Sequence, residues 1–513
     1  MDAKGVSVES QDTRFSELPQ FSTHRSSAAL LPLEYCLEKR VVILGNPAEP
    51  GAVTLGMLAP ADKKLLDELA ARLGRPLAPV QLNDFEIRRA ISRVFDLSSS
   101  DDADPVVVLE SSRDIVFESG QPAPEILDDL LVAAIRARAT DIHIETYRDD
   151  VDLRFRIDGV LRQITTPLSF DNLTRVVSRA RVLCKLDLAE HRRAQDGRFS
   201  GLYTTDEGRS RRIDFRVVVL PGPYGQDLSI RVLDPERFIT ELDSLSMSPA
   251  LLTRWKDLIR RPHGLILTTG PTCSGKTTTL YSSIAALASD NLKIVTVEDP
   301  IEYEFPKVTQ RHVTRQMSFA DHLRAFMRGN PDIVLVGEIR DRETAEIAVR
   351  AGTTGHLILS TLHTSDAIAA IGRLRVLGIP DDHLSDVLIG ILGQRLLRRV
   401  CAQCREVVEP DRALMSRFTD RKIEGAFARG RGCDRCKGTG YFGLVGVYEL
   451  FEPSIEHVDA IASGEPVERL RQQAIRHGWA PLVEDAVAKA AAGLTTIEEI
   501  ARRIPPRFSS KAR

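Results

Sequence analysis

The stretch GPTCSGKT, residues 270–277, constrains the fold of this chain more than any other segment. It matches the pattern G-x-x-x-x-G-K-[ST] and lies between the apolar run LILTT and the helical pattern TTTLYSSIAALAS. In such a loop the backbone N–H groups and the helix N-terminus face phosphates, the lysine reaches the β and γ oxygens, and the Thr hydroxyl binds Mg²⁺. We therefore predict that a nucleotide is bound by Gly270, Pro271, Thr272, Cys273, Ser274, Gly275, Lys276, Thr277 and Thr278.

Cys273 is an unusual residue for the middle of a phosphate loop. Beside Lys276 and a helix N-terminus its thiolate would be stabilised, which is how a reactive or redox-sensing thiol arises. The alternative is a small residue at a variable position of the motif. We favour the alternative.

The length of 513 residues predicts several domains, because a single hydrophobic core does not grow to this size. Residues 1–30 are polar and Ser-rich, which predicts a disordered tail. Residues 31–95 mix short apolar runs with helical patterns and predict a small N-terminal domain. The acidic segment DLSSSDDADP opens a predicted linker at 96–110.

The remainder of the chain falls into four segments with different sequence patterns. Residues 111–240 begin with a helical pattern and continue as alternating segments, which predicts an antiparallel sheet. Residues 241–398 alternate continuous apolar runs with helices, which predicts a parallel sheet with crossovers. Residues 399–450 carry two cysteine pairs, and residues 451–513 form a predicted helical region.

Composition argues against several classes of protein. Charged residues make up 27% of the chain and the net charge is only −3, so neither sign of charge calls for a nucleic-acid partner. No apolar stretch approaches the roughly 18 to 20 residues of a spanning helix, and the N-terminus lacks a signal-peptide pattern. We expect a cytoplasmic protein.

Acidic residues follow two of the predicted buried strands, and histidines flank a third. The segment KIVTVEDPIEY brings Glu298, Asp299 and Glu302 to a strand end, and DIVLVGEIRD brings Glu338 to another. An ATPase needs such carboxylates to orient water and to hold Mg²⁺. His356 and His363 bracket the run LILSTL and are candidates to hydrogen-bond a phosphate.

Four cysteines form two C-x-x-C pairs, Cys401 with Cys404 and Cys433 with Cys436. Two such pairs predict a tetrahedral Zn²⁺ site, which would be structural because four thiolates leave no open position. Free core cysteines or a cytosolic redox pair are the alternatives.

At these residues the chain resembles the secretion ATPase superfamily, close to the ATPases of type II secretion and type IV pilus assembly. GPTCSGKTTTLY is similar to its Walker A motif, VEDPIEY to its Asp box, DIVLVGEIRD to its Walker B motif and TGHLILSTLHT to its His box. The resemblance continues through RATDIHIE, FRIDG, AQDGR and YGQDLSIRVL, and covers roughly residues 120–500. The family usually has Gly where this chain has Cys273.

The resemblance implies an α/β fold in which a RecA-like P-loop ATPase core follows a PAS-like α+β domain, with a small N-terminal domain and a tetracysteine zinc module. It also implies ATP, Mg²⁺ and Zn²⁺ as ligands. Glu302 would be the catalytic carboxylate and Glu338 would lie near Mg²⁺ and its water. Arg216 and Arg231 match family arginines that approach the γ-phosphate, where a guanidinium offsets the charge on the transferring oxygens. Their alternative is a solvated surface role.

By resemblance, the chain is expected to be a homohexameric motor at the cytoplasmic face of the inner membrane. It would bind platform proteins through residues 31–95 and drive pseudopilus assembly and type II secretion. Type IV pilus extension is the alternative within the family. A DNA-translocating motor and a nucleotide-dependent switch are rivals outside it, disfavoured by the near-neutral charge and by the lack of an N-K-x-D guanine motif.

Overall fold

The computed structural model describes residues 30–31, 35–36, 39–44, 51–60, 62–82, 87, 90–91, 94, 106–110, 122–165, 168–237 and 241–506. The predicted tail lies outside them except for Leu30, and the predicted linker lies outside them except for residues 106–110. Within these ranges, every helix is too short or too polar to cross a membrane.

The first described unit contains a small three-stranded sheet and a helix that connects two of its strands. Its strands are β1 (Val41–Leu44), β2 (Val53–Met57) and β3 (Leu77–Gln81), and helix α1 (Lys63–Leu73) joins β2 to β3. Because α1 provides a crossover, β2 and β3 are parallel, whereas β1 and β2 are antiparallel.

The second unit is a seven-stranded sheet covered by two helices. Its strands are β4 (Val106–Glu110), β5 (Ala139–Thr146), β6 (Val151–Ile157), β7 (Val160–Gln163), β8 (Gln195–Thr204), β9 (Ser210–Pro221) and β10 (Gln226–Leu233). The strand order is β4-β8-β9-β10-β5-β6-β7, and all neighbours are antiparallel except β4 and β8. The predicted antiparallel sheet is therefore present, with one added parallel edge.

Strand β4 corrects the sequence analysis, which assigned residues 106–110 to a solvated linker. The run VVVLE is apolar, and the side chains of Val107 and Leu109 are buried in the core of the second unit. The acidic composition of the preceding residues therefore does not extend into this segment.

Helices α2 (Ala123–Arg136) and α3 (Phe170–Leu183) pack on one face of this sheet. Successive side chains of a strand point to opposite faces, so the apolar residues, such as Phe155 and Phe215, face these helices. The other face is polar. It carries Arg216 on β9 directly opposite Arg231 on β10, and Asp141 on β5 opposite Arg231.

The third unit is the parallel sheet of the chain. Its strands are β11 (Gly264–Thr269), β12 (Ile294–Glu298), β13 (Val308–His312), β14 (Ile333–Val336), β15 (Leu357–Leu362) and β16 (Leu388–Val400). Its helices are α4 (Pro249–Leu258), α5 (Lys276–Leu287), α6 (Phe319–Met327), α7 (Arg342–Thr353), α8 (Ala369–Val376) and α9 (Asp381–Val387). The order β13-β12-β14-β15-β11-β16 is parallel throughout, as predicted.

The cysteine module follows β16 and contains the hairpin of β17 (Arg405–Val407) and β18 (Ala428–Gly430), with the short helix α10 (Arg412–Met415) between them. Strand β19 (Tyr441–Phe451) then leaves the module and pairs antiparallel with β16, from Tyr441 opposite Val400 to Phe451 opposite Ile391. Residues 441–450, which the sequence analysis assigned to the module, thus belong to the core sheet.

Helices complete the described chain. They are α11 (Ile455–Ala462), α12 (Val467–Arg476), α13 (Leu482–Ala491) and α14 (Ile497–Arg503). Apolar residues of α13 and α14 pack against Val445 and Val447 of β19 and against Leu397 of β16. The helical C-terminal region was predicted, and two of its helices, α13 and α14, pack on the part of the sheet that β16 and β19 form.

Candidate active site

Four parallel strands of the core sheet end side by side in the order β12, β14, β15 and β11. Because parallel strands point the same way, the segments that follow them meet at one edge of the sheet. The resulting cleft has a volume of about 200 Å³. Its lining comprises Thr272, Cys273, Lys276, Thr277, Leu280, Tyr281, Glu298, Asp299, Pro300, Glu302, Phe319, Leu335, Gly337, Glu338, Thr361 and His363.

The phosphate loop connects β11 to α5, as its sequence predicts. A Cβ at Gly270 would lie 2.5 Å from the carbonyl oxygen of Gln394 on β16, so only glycine fits there. The Gln394 side-chain amide also donates to the carbonyl oxygen of Ser274 at 2.8 Å. Gln394 therefore holds the loop from the neighbouring strand. The sequence analysis missed Gln394, although a polar amide within the apolar run ILGQRLL was a signal.

Within the predicted loop, Thr272, Cys273, Lys276 and Thr277 line the cleft. The other predicted loop residues belong to the loop or to the first turn of α5 without lining the cleft. They are Gly270, Pro271, Ser274, Gly275 and Thr278.

Cys273 has a φ angle of 60°, in the left-handed region that favours glycine. A residue with a side chain held there costs of the order of 1 kcal/mol or more. This conformation gives a physical reason why glycine suits the position. The Cys273 side chain is exposed and lines the cleft.

Lys276 is a buried cation at the start of α5. Its Nζ donates to the carbonyl oxygens of Gly270 at 2.9 Å and of Pro271 at 3.0 Å. Burial lowers the pKa of Lys276 to about 8, the nearby Glu338 carboxylate opposes this shift, and Arg395 adds to it. An anion that binds beside the lysine would raise this pKa again.

Glu298, at the end of β12, is buried and fully engaged by protein donors. One carboxylate oxygen accepts from the Tyr281 hydroxyl. The other accepts from the Thr296 hydroxyl at 2.5 Å and from the Gln310 amide at 3.1 Å. These hydrogen bonds hold Tyr281 in place, and the contact of Glu298 with nucleotide stays a prediction.

Tyr281 links Glu298 to Glu302, because the Glu302 backbone N–H donates to the Tyr281 hydroxyl at 3.0 Å. The sequence analysis did not single out this tyrosine. Its position was nevertheless informative, since one helical turn separates it from Thr277 and places both on the cleft side of α5.

Glu302 has one oxygen in an ion pair and one without a partner. Its Oε1 lies 3.1 Å from an Nη of Arg216, whereas its Oε2 is buried and accepts no hydrogen bond from the described residues. Burial raises the pKa of Glu302, and the charges of Arg216 and Arg231 partly offset that rise. A carboxylate with a raised pKa and one oxygen that accepts no hydrogen bond can act as a general base.

Glu338 lies after β14 and accepts a hydrogen bond from Arg340. His363 follows β15, and its Nε2 is 3.9 Å from Glu338. Burial and the charge of Lys276 lower the pKa of His363, so its imidazole is neutral near pH 7. Asp299 is 3.5 Å from Arg340.

The two predicted arginines enter from the polar face of the second sheet. Arg216 reaches Glu302, whereas Arg231 pairs with Asp141 at 3.3 Å and affects Glu302 through its charge. Two separate sheets therefore contribute to one cleft.

His356 is a predicted site residue that lies away from the cleft. It precedes β15, at the opposite end of the strand from His363, and its Nδ1 lies 3.1 Å from the carbonyl oxygen of Ala351. Six strand residues separate the two histidines and span about 20 Å. The two side chains cannot contact the same phosphate.

The four predicted cysteines of the module do come together. Their Sγ atoms all lie within 4.8 Å of one another, and the close pairs are separated by 3.7–3.8 Å. A tetrahedron with Zn–S bonds of about 2.3 Å has edges of about 3.8 Å, whereas a disulfide is about 2.05 Å long.

Backbone donors surround the same sulfur atoms. Gly432 N–H donates to Cys404 Sγ at 3.3 Å, and the N–H groups of Cys433 and Gly440 donate to Cys436 Sγ at 3.2 and 3.3 Å. Such donors stabilise thiolates rather than thiols. The cluster is compatible with zinc.

Comparison with known proteins gives concordant matches. Residues 117–502 match the family described as type II/IV secretion system protein, and residues 12–101 match the MshEN domain. The type II secretion system ATPase E of Vibrio cholerae is 36% identical over 496 residues, which cover 93% of this chain and 97% of that protein. The type IV pilus assembly ATPase PilB of Thermus thermophilus is 36% identical over 493 residues, 92% of this chain and 54% of that protein.

Among solved structures, the ATPase DotB of Legionella pneumophila has a similar fold, with a TM-score of 0.56. The match covers 77% of this chain and 98% of that chain at 20% sequence identity.

The pKa of Lys276 predicts how nucleotide affinity depends on pH. Above about pH 8 the free chain holds this lysine increasingly as the neutral amine, which cannot pair with phosphate. We expect the affinity for MgATP to fall between pH 7.5 and 9.5, by up to about tenfold per pH unit. Calorimetric titration at several pH values measures this affinity. The Lys276→Arg variant is the control, since its guanidinium stays charged. An equal loss of affinity in that variant would assign the effect to another group.

Proposed function

We propose that this chain, which belongs to the type II/IV secretion system protein family, is the ATP-driven motor of a type II secretion system. The family resemblance seen in the motifs is confirmed, and the chain is a P-loop ATPase. One observation carries the choice within the family. The type II secretion system proteins E of Klebsiella pneumoniae and Pseudomonas aeruginosa are 43% and 41% identical over 75% of this chain, whereas the pilus ATPases PilB of Thermus thermophilus and Myxococcus xanthus are 36% and 34% identical over 92% and 95% of it.

In the proposed reaction, ATP is bound by the loop at residues 270–278, with Lys276 on the β and γ phosphates. The hydroxyl of Thr277 and the carboxylate of Glu338 supply oxygen ligands of the kind that Mg²⁺ prefers. Bound Mg²⁺ would neutralise charge on the phosphate oxygens. This part of the cleft supports a Mg²⁺ site, because the oxygens of Thr277 and Glu338 lie beside the phosphate loop that carries Lys276.

Glu302 is the proposed general base. It lies in the cleft with a free carboxylate oxygen, and burial moves its pKa toward neutrality. It would accept the proton of the attacking water as the γ-phosphoryl group transfers. Arg216, and Arg231 beside it, would offset the charge that develops on the equatorial oxygens. Glu298 acts indirectly, by holding Tyr281 against the Glu302 backbone.

The energy of hydrolysis is proposed to move domains rather than to make a new compound. Arg216 belongs to one sheet and Glu302 to the loop after β12 of another, so a change at the γ-phosphate would alter how the two units sit together. In a homohexamer at the cytoplasmic face of the inner membrane, this motion would pass through the N-terminal domain to platform proteins and drive pseudopilus assembly.

Substitution of the proposed general base gives a direct test of the chemistry. Glu302→Gln keeps the size of the side chain but cannot take a proton, so kcat should fall by at least about 10²-fold while MgATP binding persists.

Lys276→Ala should lose MgATP binding, because the cation that pairs with the phosphates is removed. Arg216→Ala and Arg231→Ala should lower kcat with binding intact. Steady-state hydrolysis and equilibrium titration distinguish these classes. Near-normal turnover by Glu302→Gln would refute its role, and DNA-dependent hydrolysis would favour a DNA motor.

The cysteine cluster is proposed to hold structural zinc. Purified protein should contain about one zinc per chain, and Cys404→Ser should lose it with a clear fall in Tm, because a buried sulfur tetrahedron is broken. Elemental analysis and calorimetry measure both. Cys273→Ser is the matched control, since this cysteine is exposed and remote in sequence from the cluster. Four titratable thiols and no metal in fresh protein would contradict the proposal.

The partner distinguishes secretion from pilus extension. The immobilised full chain should capture a single-span secretion-platform protein from detergent-solubilised inner membranes, and a variant lacking residues 1–100 should not. Mass spectrometry identifies the captured protein. Capture of pilus-assembly components by the full chain would instead assign it to pilus extension, with the same ATPase chemistry.

A further inference from the structure

Two contacts join the second sheet to later parts of the chain. One is the cleft, where Arg216 of β9 meets Glu302. The other is the turn between β6 and β7, which contacts the start of β19 beside the cysteine cluster and the end of α14. The proposed mechanism uses the first contact and leaves the second without a role.

The turn at the second contact has a defined conformation. Asp158 and Gly159 have φ angles of 49° and 75°, which fits the tight two-residue hairpin that an Asp-Gly pair forms. The Asp158 carboxylate accepts from the backbone N–H of Gly443 at 2.9 Å, and Arg503 donates to the carbonyl oxygen of Gly159 at 3.2 Å. Both partners lie outside the second sheet.

Aromatic packing surrounds this contact. The guanidinium groups of Arg138, from the second unit, and of Arg435, from the cysteine module, lie 5.0 and 4.5 Å from the centre of the Phe442 ring. Phe442 in turn packs against the cysteines. Arg162 of β7 is 3.4 Å from the hydroxyl of Thr439. The turn and the strand β7 that follows it are therefore docked on the start of β19 and on the adjacent cysteine module by polar and cation–π contacts.

The sheet itself connects the two contact points. Strands β6, β5, β10 and β9 are hydrogen-bonded neighbours in that order. A sheet with continuous ladders resists shear between its strands, so the position of the β6–β7 turn fixes where β9 presents Arg216. A small rotation of the sheet at the turn would withdraw Arg216 from Glu302.

We propose that Asp158 is a positioning residue for ATP hydrolysis, because it seats the β6–β7 turn on the start of β19, beside the cysteine module, and so holds Arg216 against Glu302. This inference rests on the proposed role of Arg216 in catalysis. It gives the cysteine module a part in the hydrolysis step, through the surface it offers to the second sheet.

Two substitutions of Asp158 distinguish the loss of its hydrogen bond to Gly443 from a change in the conformation of the turn. Asparagine and glycine both tolerate the left-handed conformation of Asp158, but only asparagine keeps an oxygen that can accept from Gly443. In the full chain we expect Asp158→Gly to lower kcat about tenfold with KM for ATP little changed, and Asp158→Asn to retain most activity. Asp149→Gly makes the same change in the exposed turn before β6 and should have no effect.

The pH profile supplies the second readout. Glu302 is faced by Arg216, Arg231, Glu298 and the Tyr281 hydroxyl, and the two arginines hold its pKa below the value that burial alone would give. Kcat/KM falls as pH falls through this pKa. When Arg216 withdraws, the pKa rises, so the acid limb of Asp158→Gly should move to higher pH while that of Asp158→Asn stays with the wild type.

The outcomes are distinct. Loss of kcat in Asp158→Gly with an unmoved acid limb, or equal activity of the two Asp158 variants, overturns the inference and leaves the proposed function intact. If Arg216→Ala itself hydrolyses ATP at the wild-type rate, the catalytic role of the arginine fails and the inference fails with it. Tenfold loss, a shifted limb and recovery in Asp158→Asn support it together.

Discussion

The parallel alignment of β12, β14, β15 and β11 is the constraint on which the rest of the molecule depends. It brings residues that are distant in sequence, from Gly270 to His363, to one edge of one sheet. Parallel strands require helical crossovers, and those crossovers bury both faces of the sheet. Because helices cover both faces of the sheet, polar groups gather around a ligand at the edge formed by the carboxyl ends of the strands.

A second layer of contacts gives that edge its chemistry. Glu298 could have been an independent ligand, but its three protein donors make it a support for Tyr281. Glu302 is left with one open oxygen in a buried setting. The difference between two carboxylates four residues apart therefore comes from what packs around each, since their chemistry is the same.

Sequence patterns predicted those features that depend on local chemistry. The phosphate loop, the alternation of buried strands and helices and the four clustered cysteines all have local signatures. These patterns predicted the parallel sheet, and the family resemblance of the motifs implied the fold class. Patterns could not tell which acid at the end of β12 would be buried. They also gave His356 and His363 equal standing, although the two lie at opposite ends of one strand. Strand β4 and the end of the cysteine module were misassigned, because pairing with β8 and β16 decides both.

Strand β19 has a consequence for the chain without a folded cysteine module. It begins beside the cysteines and continues as the outermost strand of the core sheet, where it covers the edge of β16. If the module unravelled and β19 detached, the long strand β16, LIGILGQRLLRRV, would present a row of unpaired backbone groups. An uncovered and largely apolar edge recruits strands from other molecules. A folded cysteine module, by fixing the start of β19, would therefore keep the backbone groups of β16 paired within the chain.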